Sequence, residues 1–173
     1  MAVEEVIGAS SETDADWVDE RGMRAWRGLL QAHAYVTRVL EAELEAAHHL
    51  PLASYDVLVQ LSEAPGHELR MSELAQAVLL SRSGLTRLVD RMEREGLVAR
   101  RTCLSDARGT LAILTPHGLD QLRAASGTHL KGVSRHVLFH FSRAEQDQLA
   151  ELLGRLGPPC ADHDGARRHA TGG

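Results

Sequence analysis

The chain has 173 residues, 43% apolar and 25% charged, enough apolar material for one domain with its own core, and no apolar run approaches the ~18 residues of a membrane-spanning helix. Nineteen Lys and Arg against twenty-four Asp and Glu give a formal charge of −5, which on average argues against a nucleic-acid partner, and 3% aromatics argues against base-stacking platforms for single strands. The opening MAVEEVIGASSETDADW has neither a basic leader nor an apolar core, and Cys103 and Cys160 form neither a CxxC pair nor a disulfide framework; a cytoplasmic, reducing location is expected.

The first 20 residues carry seven acidic side chains and no basic one, so residues 1–16 are expected to be a solvated, disordered acidic tail. From Arg21 to His48, Trp26, Leu29, Leu30, His33, Val36, Leu40 and Leu44 recur every three or four residues, the pattern of one face of a long helix that Pro51 stops. Helical spacing resumes at Ser54–Leu61 and ends at Ala64-Pro65-Gly66. A short helix follows, with Ser72 as its N-cap, and another runs over 82–95 with Ser81 as cap, Leu85, Leu88, Val89 and Met92 inward, and Gly96 as terminator.

The period then changes. Residues 97–102 and 110–114 predict two strands of a hairpin around a polar seven-residue tip. Thr115-Pro116 starts a long helix reaching about Phe139, and Ser142-Arg143-Ala144-Glu145 is a capping box opening a last helix with Leu149, Leu152, Leu153 and Leu156 on one side. Residues 157–173, beginning Gly-Pro-Pro, are expected to be a second disordered tail. The fold class is therefore mainly α with a small β-hairpin wing, and the apolar stripes on the two end helices suggest a dimer.

Helix, turn, helix and hairpin over 72–109 are the order of a winged helix-turn-helix, whose second helix enters the major groove while the hairpin tip reaches the adjacent backbone or minor groove. Arg82, Ser83, Thr86, Arg87 and Asp90 share the side opposite the apolar stripe, near a helix N-terminus whose dipole favours phosphate. In the tip, Asp106 can brace Arg108, an arginine suited to a narrow negative groove, and Gly109 lets the chain turn back. The charge is also unevenly spread: residues 71–115 hold seven Arg against five acids, a local +2 on an acidic body.

The stretch MSELAQAVLLSRSGLTRLVDRMEREGLVARR, followed by SDARG and LTPHG, resembles the MarR family of dimeric transcriptional regulators, and the likeness extends in kind over about 21–156. The resemblance implies a domain over 17–156, with dimerisation helices at about 21–48 and 116–156 around a winged helix-turn-helix at about 52–115. It implies a homodimer on a pseudo-palindromic double-stranded operator, contacted by Ser81, Arg82, Ser83, Thr86 and Arg87, with Arg108 as wing arginine and Asp106 as the acid ordering the wing. It implies, further, a repressor released by a small molecule, often an aromatic acid. Gly84 departs from the helical norm within the recognition helix, at a cost of ~1 kcal/mol relative to Ala.

Candidates for an effector pocket are Trp26, His33, Tyr55, Asp56 and His129, against the plainer reading of core or interface side chains. Ten histidines raise zinc sensing as an alternative, with His136 and His140 at i, i+4 on the predicted fifth helix and His129, His48 and His49 as further candidates. Cys103, near Arg100 and Arg101, is a candidate redox thiol, although an ordinary wing residue is the simpler reading. No nucleotide-binding glycine loop, nucleophile elbow or HExxH points to an enzyme or a cofactor. A helical interaction module without DNA binding is the remaining alternative, and its expected mark, loss of basic and hydroxyl residues from the reading face, is absent.

Overall fold

Asp19 begins the first helix by accepting a hydrogen bond from the Gly22 amide at 2.7 Å, and α1 then runs Glu20–His48 without interruption. It ends at His49, which turns left-handed (φ 51°). The computed structural model describes residues 19–102 and 109–156, and these fall into two compact units, Met1–His129 and Leu130–Gly173.

In the first unit, α2 (Leu52–Glu63) starts two residues before the expected Ser54, because Pro51 stands at the cap and the Glu41 carboxylate of α1 accepts from the Leu52 amide at 2.6 Å. Ala64-Pro65-Gly66 ends it as expected, but a 3-10 turn (Pro65–His67) leads into a strand that periodicity did not reveal, β1 (Glu68–Arg70). Three residues are too few to show alternation. The next helix, α3 (Met71–Ala77), is capped from Arg70 rather than Ser72: Arg70 leaves β1 extended, and the Glu73 carboxylate accepts from its amide at 3.1 Å.

Leu79, left-handed at φ 54°, turns the chain into α4 (Arg82–Arg94), capped by Ser81. Gly96, at φ 73°, turns it out again into β2 (Val98–Thr102). β3 (Thr110–Leu114) pairs antiparallel with β2 on one edge and with β1 on the other, so the expected hairpin is the larger part of a three-stranded sheet ordered β1-β3-β2. Thr115 caps α5 (Pro116–His136): its hydroxyl accepts from the Gly118 amide and donates toward the Gly96 and Leu97 carbonyls.

One core serves this unit. Leu44 of α1, Val57, Leu58 and Leu61 of α2, Leu74 of α3, Leu85, Val89 and Met92 of α4, Val98 and Ala112 of the sheet, and Leu122 and Ala125 of α5 are all buried in it. The inward face expected of α4 is thus the observed one, and α4 is held from three sides.

Within the second unit, α5 stops at His136 rather than near Phe139, because Val137 leaves helical geometry (φ −126°, ψ −67°) and a 3-10 turn (Leu138–His140) follows. The Gln146 amide pins that turn by donating to the Leu138 and Phe141 carbonyls at 3.0 and 3.1 Å. α6 (Arg143–Gly154) opens with the expected capping box, and Ser142 holds the Glu145 carboxyl below the usual carboxylate range by hydrogen bonds from its hydroxyl and its amide. Among the described residues 130–156 no hydrophobic side chain is buried, while Leu130, Phe139 and Leu156 are more than 60% exposed.

No helix among the described residues is long and apolar enough to cross a membrane.

Candidate nucleic-acid interface

α4 buries Leu85, Leu88, Val89 and Met92 and so is forced to present the opposite stripe outward. Arg82, Ser83, Thr86, Arg87 and Asp90 are all exposed there, as the spacing predicted. Their chemistry is unequal. Ser81 spends its hydroxyl as an acceptor for the Gly84 amide at 3.1 Å and lies 3.3 Å from the Ser83 hydroxyl, whereas Thr86 turns its hydroxyl back to donate to the Arg82 carbonyl at 2.8 Å. Thr86 therefore keeps chiefly acceptor capacity outward, Ser81 keeps its hydroxyl proton to donate, and the guanidiniums of Arg82 and Arg87 are exposed cationic donors.

Gly84 has a local reason. A Cβ there would stand 3.1 Å from the Ser81 hydroxyl, tighter than ordinary contact, so glycine lets the cap close without displacement.

Between α3, α4 and the sheet lies a cleft of about 440 Å³ lined by Arg70, Met71, Ser72, Arg82, Thr86, Arg100, Gly109 and Thr110. Arg70 and Arg100 line this cleft, and sequence reasoning singled out neither as a site residue. The available signal was the alternation of β2: neighbouring strand residues point to opposite faces, so Arg100 and Arg101 cannot both face outward. Arg100 turns to α4 and bonds Asp90 and Glu93, whereas Arg101 pairs with Glu68 of β1 at 2.5 Å. Asp90, expected as part of the exposed face, is an ion-pair partner of Arg100.

Asp106, Arg108 and Cys103 lie outside the described residues, as does Cys160. β2 and β3 remain in register up to Thr102↔Thr110, so the segment joining them begins and ends at one end of the sheet.

Of the effector candidates, the structure brings two together. Tyr55 is buried in the core with its ring centroid 4.5 Å from that of His129, and its hydroxyl reaches Ser126 at 3.5 Å. His129 is half-buried, its Nδ1 is buried without a hydrogen-bond partner, and desolvation holds its pKa below the ordinary 6.5. His48 of α1 borders this seam, its Nε2 2.8 Å from the Thr128 hydroxyl. Asp56 turns the other way, to the surface, where partial burial and then the Glu41 charge raise its pKa above the usual aspartate value. Trp26 and His33 lie on the exposed first half of α1. At 1.5 Å per residue His33 is about 22 Å along the helix from His48, too far for one small molecule to touch both within one chain.

The metal candidates do not assemble. His136 ends α5 and His140 lies in the 3-10 turn beyond Val137, so the expected i, i+4 pair on one helix does not exist. Among the described residues no three His, Cys, Asp or Glu come together as a metal site.

Comparison with known proteins places this arrangement. The family model described as "MarR family" matches residues 48–109, from the end of α1 to the start of β3. The HTH-type transcriptional repressor YetL of Bacillus subtilis is 27% identical over 150 residues, covering 87% of this chain and 88% of its own. Among solved structures, AbsC, a MarR family transcriptional regulator from Streptomyces coelicolor, is 36% identical over 81% of this chain and 94% of its own, with a TM-score of 0.75. Sco3205, a MarR family regulator of the same organism solved in complex with DNA, is 33% identical over 81% of this chain and 88% of its own, with a TM-score of 0.77. A recognition-type helix held by a three-stranded wing sheet, together with these identities over nearly whole chains, makes this protein a member of the MarR family of transcriptional regulators.

Proposed function

We propose that the chain binds double-stranded DNA as a homodimer on a pseudo-palindromic site and regulates transcription there, as a repressor. The observation that carries this reading is the outward stripe of α4, where Arg82 and Arg87 stand among Ser81, Ser83 and Thr86 beside a cleft rimmed by Arg70 and Arg100. That is the inventory of donors and acceptors that reads base edges from a helix in a major groove. The DNA complex of Sco3205, a relative of 33% identity, supports it. The wing's groove contact is assigned to Arg108, as the family resemblance implies; it and Asp106 lie outside the described residues.

The homodimer reading rests on surface chemistry. Trp26, Leu29, Leu30 and Tyr35 on α1 are exposed, and so are Leu152, Leu153 and Leu156 at the other end of the chain. Apolar stripes of this length on two end helices are covered by a second copy. In this reading 21–48 and 116–156 form the dimerisation helices around the winged unit at 52–115; the tails expected at 1–16 and 157–173 lie outside the described residues.

Effector release is assigned to the Tyr55–His129 seam, where an aromatic ring beside a partnerless imidazole nitrogen suits a small aromatic acid whose carboxyl would satisfy that nitrogen. Trp26 and His33 join that seam only if a partner chain supplies them.

Fluorescence anisotropy with the duplex upstream of the protein's own gene, paired with light scattering for stoichiometry, tests the function. Salt-dependent, competitor-resistant binding of two chains per duplex is expected. Arg87→Ala is expected to lose about 1–3 kcal/mol on the specific duplex and little on random DNA, and Arg108→Ala to lower the salt slope by about one on both. Absence of specific binding by the unaltered protein would leave an interaction module instead.

A further inference from the structure

Arg100 engages α4 at three residues. Its Nη1 donates to Asp90 Oδ1 at 2.5 Å and to Glu93 Oε2 at 3.0 Å, its Nη2 donates to the Thr86 carbonyl at 3.1 Å, and its own amide donates to Glu93 Oε1 at 3.2 Å. Residues 86, 90 and 93 are spaced by four and three, so one guanidinium spans two turns along a single stripe of α4. The Arg100 side chain is 23% exposed and its two carboxylate partners are 49% and 42% exposed.

Consider the helix without it. Asp90 and Glu93 lie on the stripe that starts at Thr86, and both would present uncompensated carboxylates to an approaching phosphate backbone, opposing Arg82 and Arg87. A lone surface ion pair contributes little, but one guanidinium shared among three acceptors on one helix is a network that holds geometry as well as charge. Because Arg100 belongs to β2 and its neighbour Arg101 pairs with Glu68 of β1, these two residues tie α4 and β1 to β2.

We propose that Arg100 is a positioning residue for DNA binding, acting through Asp90 and Glu93: it cancels their charge and fixes the pitch of α4 against the wing strand, and makes no phosphate contact of its own. This rests on the DNA-binding reading above.

The test is a thermodynamic cycle on the full chain, read by anisotropy across a salt series. Arg100→Met is expected to weaken specific binding about tenfold, and less than about threefold when made in an Asp90→Asn, Glu93→Gln background, since the charges it offsets are then gone. Arg100→Lys, which keeps the charge but cannot reach three acceptors, is expected to fall between. Should Arg100→Met fail to fold, the Arg100→Met change in the neutralised background, compared with that background alone, decides instead. An equal loss in both backgrounds would mean that Arg100 does not act through Asp90 and Glu93 and would overturn the proposal, as would wild-type affinity for Arg100→Met. A wild-type protein that binds no duplex would instead remove the DNA-binding reading.

Discussion

Two roles are expected of Ser81, the cap of α4 and a DNA contact, and the structure shows the first. Its place before an apolar-periodic run marks an N-cap, and the structure has it so; the role as a DNA contact came from the family resemblance, and the hydroxyl that would make that contact already accepts from Gly84. His129 is the converse. Its sequence context makes it one of ten histidines, and only the tertiary fold puts it against Tyr55 with a buried, partnerless nitrogen. Because its pKa is lowered below the unfolded value near 6.5, the unfolded chain takes up a proton that the folded one refuses. The stability it contributes is complete above pH 6.5 and is lost as pH falls from there through the folded pKa. Urea midpoints at pH 7.5 and 5.5 are expected to differ less for His129→Gln than for the wild type; equal differences would mean that His129 titrates alike in both states.

At the scale of elements, Gly118 couples two of them. A Cβ on it would stand 2.1 Å from the Leu97 carbonyl oxygen and 2.9 Å from a Leu114 methyl, so α5 can begin against the start of β2 only with glycine in that position. Gly118→Ala is expected to cost about 1–3 kcal/mol as the helix start shifts, seen as a lower melting temperature, while the Thr115 cap remains intact. A melting temperature equal to that of the wild type would show the junction to be soft. Helices whose apolar period extends over three or more turns were legible from sequence, and so were the caps at Ser81, Thr115 and Ser142, because both signals are local. β1 was not legible, since its partner β3 lies more than 40 residues away and its three residues carry no pattern of their own. The end of α5 was misplaced for the same reason: the Gln146 bonds that stabilise the turn come from the following helix.

For the whole molecule, the net charge of −5 describes no place in particular. The seven acids of the first 20 residues outweigh the local surplus of arginine in 71–115, and even that surplus is partly spent internally, with Arg100 and Arg101 bound to Asp90, Glu93 and Glu68. The free cations of the reading face are thus fewer than the count suggests, which favours placed contacts over general adhesion. Deleting residues 1–16 is expected to strengthen binding to random DNA at low salt, measured by anisotropy at 20–50 mM ionic strength, where the Debye length of roughly 15–20 Å lets a tail act at a distance. Unchanged binding would place the tail far from the duplex.

By itself the sequence determined the helix-turn-helix-hairpin order, the inward face of α4, the outward arginine and hydroxyl stripe, and the family likeness. All of these are written in spacings of a few residues, over which hydrophobic periodicity and capping act. The tertiary structure alone decided that Arg100 turns to α4 and Arg101 to β1, because the two are identical in sequence terms and are separated only by the pleat of β2 and the elements packed on its two sides. It alone decided that Tyr55 meets His129 while Asp56, one residue on, faces Glu41 and the surface. Those assignments depend on contacts between residues 7 to 74 positions apart, and such contacts exist only once the chain has closed on itself.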